Sequence, residues 1–289
     1  MRRNAVLVLP ALGLALAALV ATARPAPAAP KAYRVEEVKN GGTIRGMCRI
    51  DAAPALDPLS IFKDNKEDAC GVSATRPSER VIVGEDRGLA NCVVYLKEIA
   101  SGKDWPEAMR SEDRKSLINQ KGCKYAPHIM WVRPETQIAV GSEDNAEHNI
   151  HAYRESMADT QFNFTSAPFK SNDDTEAAFL KKTGKYIVKC DIHPWMSAYI
   201  FVAPNPYHDI TAAPAAEGRK CGEYVLENVP EGTYTLVFWH EGMIERPTFQ
   251  DAQIKAYTYS VDLQEEQADV KVEAGKTVTV DHEFKAQAK

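Results

Sequence analysis

The chain has 289 residues, of which 44% are hydrophobic and 26% charged, and a formal net charge of −5. That length holds two modest domains, each with a buried core. The acidic balance argues against a nucleic-acid partner and favours basic ones.

The first residues read as a secretory signal. Arg2 and Arg3 form a charged start, residues 5–23 are weakly apolar and rich in Ala and Leu, and Ala21-Thr22-Ala23 and Ala26-Pro27-Ala28 offer small-residue cleavage sites. An uncleaved anchor is the alternative, weakened by Pro10 and the many alanines. A signal peptide over 1–28 would take Arg2, Arg3 and Arg24 with it, so three lost positive charges move the net charge from −5 to −8. No cysteine follows the apolar run closely, so no lipid anchor is expected and the mature chain should be periplasmic or secreted, without stable membrane insertion. In that setting six cysteines suggest at least one disulfide.

After a Pro- and Ala-rich spacer, residues 33–50 show glycine punctuation and alternating apolar positions, the pattern of strands. Residues 52–79 read as loop, and 80–83 and 92–96 as short strands around the turn 84–88. The spacing of Ala108, Met109, Leu117 and Ile118 predicts a helix over 105–120, with Pro106 in its first turn and Gly122 at its end. Strands follow at 129–132, 137–140 and 148–153. Residues 154–180 read as a long polar loop with short elements, and its Asp173, Asp174 and Glu176 lack the spacing of a calcium loop. Residues 185–189 lead into Cys190 and 198–202 follow Met196; Pro204-Asn205-Pro206 then marks a boundary. Short strands at 224–226, 233–239, 256–261 and 276–284 point to a β-sandwich in the last third.

The chemistry concentrates in Cys190-Asp191-Ile192-His193-Pro194-Trp195-Met196. Thiolate and thioether select Cu(I), imidazole also suits Cu(II), and a second imidazole would complete a trigonal site with a weak axial Met. The two-residue gaps let one tight loop turn three side chains to a common point between two strands, a rigid frame for a metal. The missing imidazole has two candidates in His148-Asn149-Ile150-His151. Positions three apart on a strand face opposite ways, so both can reach one ion only if the backbone bends. Asn149 is a candidate to fasten the two stretches and tune the thiolate by hydrogen bonding.

These two motifs together resemble the cupredoxins, the type 1 blue copper family of amicyanin and plastocyanin. The nearest likeness is to the amicyanin pattern of a His-Asn-x-His run and a Cys-x-x-His-Pro-x-Met loop. The resemblance implies His148, Cys190, His193 and Met196 as ligands of one type 1 copper, with His151 outside the set. A wider likeness covers Gly122-Cys123, Pro127-His128 and the stretch 229–234 leading to Trp239-His240-Glu241. It is to exported bacterial proteins described as methylamine-utilisation-like or carboxypeptidase-regulatory-like. The implied fold is all-β: N-terminal strands and a loop over 33–79, a cupredoxin-like Greek-key sandwich over 80–203, and a smaller prealbumin-like sandwich over 204–289. Amicyanin is a single small domain, so the C-terminal part and the 154–180 loop are departures, and that loop can cover the face where a partner docks.

The remaining candidates have plainer readings. His128 after Pro127 reads as a hydrogen-bonded structural residue, and His208 and His282 as surface or half-buried. Trp239-His240-Glu241 lacks the second histidine of a zinc-protease helix. Cys70 and Cys123, each beside a glycine near a loop, are the preferred disulfide, with Cys48 and Cys92 a further option and Cys221 left over. The expected function is a periplasmic electron carrier cycling Cu(I)/Cu(II) and meeting a basic cytochrome or dehydrogenase-like partner through an apolar collar of Pro194 and Trp195 around His193. Copper storage, delivery or sensing, and an exported interaction module with a structural metal, are the alternatives. An enzyme is not expected, because Met196 would close the axial position a catalytic metal needs open.

Overall fold

Two strands, Ile129–Val132 and Ser197–Val202, are buried at every residue. A strand buried on both faces must lie between two apolar layers, and alternation along it assigns each side chain to one of them. Ala198, Ile200 and Val202 face one core; Tyr199 and Phe201 face another.

A computed structural model describes residues 32–286 except 53–58, 61–74, 77–78, 111–114, 170–176, 194, 214–217, 243–244, 251–252 and 260–263. The chain is all-β. The candidate signal peptide, Cys70 and the acidic Asp173, Asp174 and Glu176 lie outside the described residues. No helix among the described residues is long and apolar enough to cross a membrane.

Four sheets stack with three apolar layers between them. A four-stranded sheet runs Ala177–Leu180, Thr136–Ser142, Lys115–Gln120, Tyr125–Ala126. It packs on a five-stranded sheet ordered Thr160–Ser166, His148–Arg154, Gly184–Lys189, Ser197–Val202, Ile129–Val132, with Ile118, Ile138, Val140, Ile150, Val188 and Ile200 between them. The far face of the five-stranded sheet presents Trp131, Ile187, Tyr199 and Phe201 to Val93, Tyr95 and Trp239. Those last three lie on a sheet ordered His208–Ile210, Val93–Leu96, Gly232–His240, Gln264–Val272. The opposite face of that sheet closes a third layer against Gly42–Ile50, which pairs with Glu223–Val229 on one side and Thr277–Thr279 and His282–Phe284 on the other.

The second sandwich is therefore built from both ends of the chain. Val93–Leu96, placed with 80–203 in the sequence reading, pairs antiparallel with Gly232–His240, and Gly42–Ile50 pairs with C-terminal strands instead of packing on the first sandwich. Gly46 marks how closely these strands approach: a Cβ there would lie 1.9 Å from the Val280 carbonyl oxygen. The expected strand over 276–284 is two short strands, parted where the Asp281 carboxylate turns to the Met47 N–H (2.9 Å) and Arg49 (2.8 Å).

The helix expected over 105–120 is a second correction. Among the described residues of this stretch Glu107–Arg110 is helical, and Lys115–Gln120 is a strand paired in parallel with Thr136–Ser142. Along it Ile118 and Gln120 turn inward while Leu117 and Lys115 are exposed, which is period two. The adjacent Leu117 and Ile118 fit either period, and tertiary pairing decides.

Trp239 is fully buried where two sandwiches meet, with its ring 4.9 Å from both Tyr199 and Phe201. Trp239→Ala should cost about 3–5 kcal/mol in urea unfolding, against under about 0.5 kcal/mol for a surface change such as Lys97→Ala. Equal losses would show that this layer adds nothing to stability.

Candidate metal centre

The Gly184–Lys189 and Ser197–Val202 strands pair antiparallel, with Lys189 opposite Ser197. The seven residues between them must turn back within one strand spacing. The turn closes on its own backbone: the Met196 N–H donates to the His193 carbonyl (2.9 Å) and the Cys190 N–H to the Met196 carbonyl (3.4 Å). The His193 N–H donates to the Cys190 sulfur (3.3 Å), which fixes the thiol inside the turn.

His148 opens the His148–Arg154 strand, one strand over, and alternation aims it inward with Ile150 and Ala152. Its Nδ1 lies 2.8 Å from Nδ1 of His193, which in turn lies 3.7 Å from Sγ of Cys190. His148 is 0% exposed, Cys190 2%, His193 5% and Met196 1%. Met196 lies in the same apolar cluster as Cys190, Trp195 and Tyr125. The fold thus brings His148, His193 and Cys190 within reach of one another, with Met196 in the apolar cluster that contains Cys190.

His151 goes elsewhere. Its Nδ1 lies 3.0 Å from the Asp191 carboxylate and 2.7 Å from the Tyr153 hydroxyl, its Nε2 is 3.0 Å from Thr160 Oγ1, and its ring stacks on Tyr153. Asn149 fastens the two stretches as expected. Its Oδ1 accepts the Asp191 N–H (2.5 Å), its Nδ2 donates to Asp191 Oδ2 (2.9 Å), and its backbone N–H donates to the Cys190 sulfur.

Two groups were missed in the sequence. Asp144 Oδ2 sits 2.9 Å from Nε2 of His148, so Nδ1 is the nitrogen left to face His193. The same carboxylate accepts the N–H groups of Gly122 (2.5 Å) and Cys123 (2.8 Å), two successive residues with positive φ. Tyr125 donates its hydroxyl to the Asn149 carbonyl (2.5 Å) beside Cys190. The only signal for Asp144 is an acid within a few residues before His148, which Glu143 and Glu147 share.

Two expectations about the surroundings fail. Trp195 is no collar: it is buried and donates its Nε1–H to the Cys123 carbonyl (3.2 Å), because an indole in the core needs a partner for its one donor. Pro194 lies outside the described residues. Among the described residues of this loop Ile192, 40% exposed, is the apolar one shown to solvent. The Cys48–Cys92 pairing is also absent, since both are free buried thiols, as are Cys190 and Cys221. Cys123 is disulfide-bonded, and Cys70, its expected partner, lies outside the described residues.

Ligand atoms of Cys123, His148 and His193 lie within 4.8 Å of one another. A disulfide sulfur has no thiolate charge, so the sulfur beside these histidines that could serve as a donor is that of Cys190, 3.7 Å from His193 Nδ1. Burial alone would raise its thiol, but hydrogen bonds with His148 and His193 and the N–H groups of Asn149 and His193 outweigh it and bring the pKa down to about 6. Burial likewise disfavours charge on His148, yet Asp144 and Cys190 raise its pKa. Two nitrogens, a thiolate and a thioether in a dry, hydrogen-bonded pocket suit a soft redox metal, so the donor set fits copper.

No protein-family model and no curated protein matches the chain. Solved structures give partial likenesses. Against the copper-containing nitrite reductase of Thermus scotoductus SA-01 the TM-score is 0.27 at 16% identity, over 31% of this chain and 22% of that one. The chain therefore spans under a quarter of that enzyme. Against amicyanin from Paracoccus versutus the TM-score is 0.27 at 13% identity, over 38% of this chain and 97% of that one. A reduced Cu(I) form of an amicyanin variant gives 0.26 at 14% identity, over 38% and 98%.

In the metal-free protein Cys190 should be thiolate above about pH 6 and thiol below it. Thiolate absorbance near 240 nm should titrate with a midpoint about there, and His193→Ala should move it up toward the ordinary thiol value. A midpoint near 9 in the unaltered protein would contradict this hydrogen-bond arrangement.

Proposed function

We propose that the chain is an exported copper protein that carries single electrons, with His148, Cys190, His193 and Met196 as the ligands of one type 1 copper. The observation that carries the reading is the Cys190 sulfur, a free buried thiol held by two imidazoles and two backbone N–H groups. Copper held there would supply one-electron cycling between Cu(I) and Cu(II). The chain's own part is to keep the donors still. Asp144 holds the His148 ring by Nε2, Asn149 ties the Cys190 loop to the His148 strand, and the Met196 and His193 backbones lock the turn. Ligands that cannot relax between oxidation states favour rapid electron exchange over release of the ion. A redox partner would approach where Ile192 is exposed, and an acidic chain favours a basic one. We place the protein in the periplasm or outside the cell, with no enzymatic step of its own.

Adding Cu(II) to the purified chain should give an intense blue thiolate-to-copper band and narrow hyperfine splitting in the paramagnetic resonance spectrum. Cys190→Ser should abolish the band. A colourless protein, or copper bound without thiolate character, would end this reading. Asp144→Asn should keep the band but weaken copper affinity about 10–100-fold, as loss of a carboxylate behind a ligating histidine does. Unchanged affinity would show that Asp144 does not orient His148.

A further inference from the structure

A second buried polar cluster links the two sandwiches, and the copper reading makes no use of it. Glu241 follows the Gly232–His240 strand of the second sandwich and is 1% exposed. One of its oxygens meets Nε2 of His128, and the other lies 3.7 Å from Nε of the buried Arg80. The Nδ1 of His128 lies 3.1 Å from the Ser197 carbonyl oxygen.

The geometry decides the protonation of His128. A carbonyl accepts only, so Nδ1 carries a proton and donates. Nε2 faces a carboxylate at hydrogen-bond distance beside a guanidinium that keeps that carboxylate ionised, so Nε2 carries a proton too. His128 is thus an imidazolium. The electrostatics agree: burial opposes the charge, yet Glu241 raises the His128 pKa, and His128 and Arg80 hold Glu241 at about 2 against burial.

What the imidazolium grips is the exit of the metal loop. Ser197 is the residue after Met196 and the first of its strand. The His128 carbonyl also accepts the Tyr199 N–H (2.9 Å), so one residue clamps the strand at 197 from its side chain and at 199 from its backbone. Removing one member of a buried ion group leaves an uncompensated charge, so Glu241, His128 and Arg80 depend on one another's placement.

Resting on the copper reading, we infer that Glu241 and His128 are positioning residues for the metal loop. The second sandwich, through Glu241, sets where Met196 enters the site and so tunes the copper it does not touch. The C-terminal strands are on this view a working part of the centre and not an appended module.

The test uses the full chain loaded with Cu(II), comparing the unaltered protein with Glu241→Gln, Glu241→Asp and His128→Gln. Circular dichroism first establishes which variants fold. Three readouts follow: the thiolate-to-copper spectrum, the reduction potential, and the rate of copper loss to a chelator. Glu241→Gln should fold, shift the spectrum and potential, and lose copper about tenfold faster, with Glu241→Asp restoring part of the change. His128→Gln keeps a donor for Ser197 without the charge and should show the same shift, so it carries the test if Glu241→Gln does not fold. Folded variants with an unaltered spectrum, potential and release rate would overturn the inference while leaving the copper reading intact. An unaltered protein without a thiolate band would remove both.

Discussion

The Ile129–Val132 and Ser197–Val202 strands of the five-stranded sheet are buried on both faces, and the arrangement of the site depends on that constraint. An open sheet edge or a solvated face lets a connecting loop relax; a sheet held between two apolar layers does not. Tyr199 and Phe201 are locked against Trp239 on one side while Ala198 and Ile200 pack on the other. The loop between residues 189 and 197 therefore starts and ends on fixed points, and Cys190, His193, Trp195 and Met196 fold their side chains into the space between the sheets while Asp191 and Ile192 face solvent. Burial then dries the place where a thiolate and two imidazoles meet, and low dielectric makes each hydrogen bond there count for more.

Within that space, charge and hydrogen bonding divide the labour. Desolvation works against the Cys190 thiolate, so the charge survives only because four donors surround it. Asp144 is itself fixed by two backbone N–H groups from Gly122 and Cys123. The disulfide-bonded residue thus contributes its backbone to the site while its sulfur stays out of the donor set. An order of dependence follows: backbone N–H groups hold Asp144, Asp144 holds His148, and His148 faces His193 and Cys190.

Much of this was legible in the sequence, and the parts that were not share a cause. The Cys190, His193 and Met196 spacing is a local property of one loop; strand alternation puts His148 and His151 on opposite faces, and the motif resemblance is what singles out His148. Asp144 was not legible, because an acid in a polar turn reads the same whether it meets solvent or a ligand. Strand pairing was hidden for a similar reason. Gly42–Ile50 finds its neighbours more than 170 residues away, in Glu223–Val229, and nothing in a run of alternating residues names its partner. The helix expected over 105–120 failed where an adjacent Leu117 and Ile118 suit two periods at once. The Trp195 collar failed because an exposed position was inferred from a motif and not from burial.

His151 shows how one strand serves the site twice. Its imidazole faces away from the donors, yet it binds the Asp191 carboxylate that Asn149 also holds. Asp191 follows Cys190 directly, so whatever fixes Asp191 fixes the thiolate's backbone. The inward face of the His148–Arg154 strand thus supplies the imidazole that meets His193, and its outward face supplies a clasp on the loop carrying Cys190 and His193. Two histidines three residues apart look redundant in sequence and act on opposite faces of the sheet in the fold. Period two makes that division possible: shifting the register by one residue would turn His151 inward and His148 outward, and neither the Asp144 contact nor the Asp191 clasp would survive.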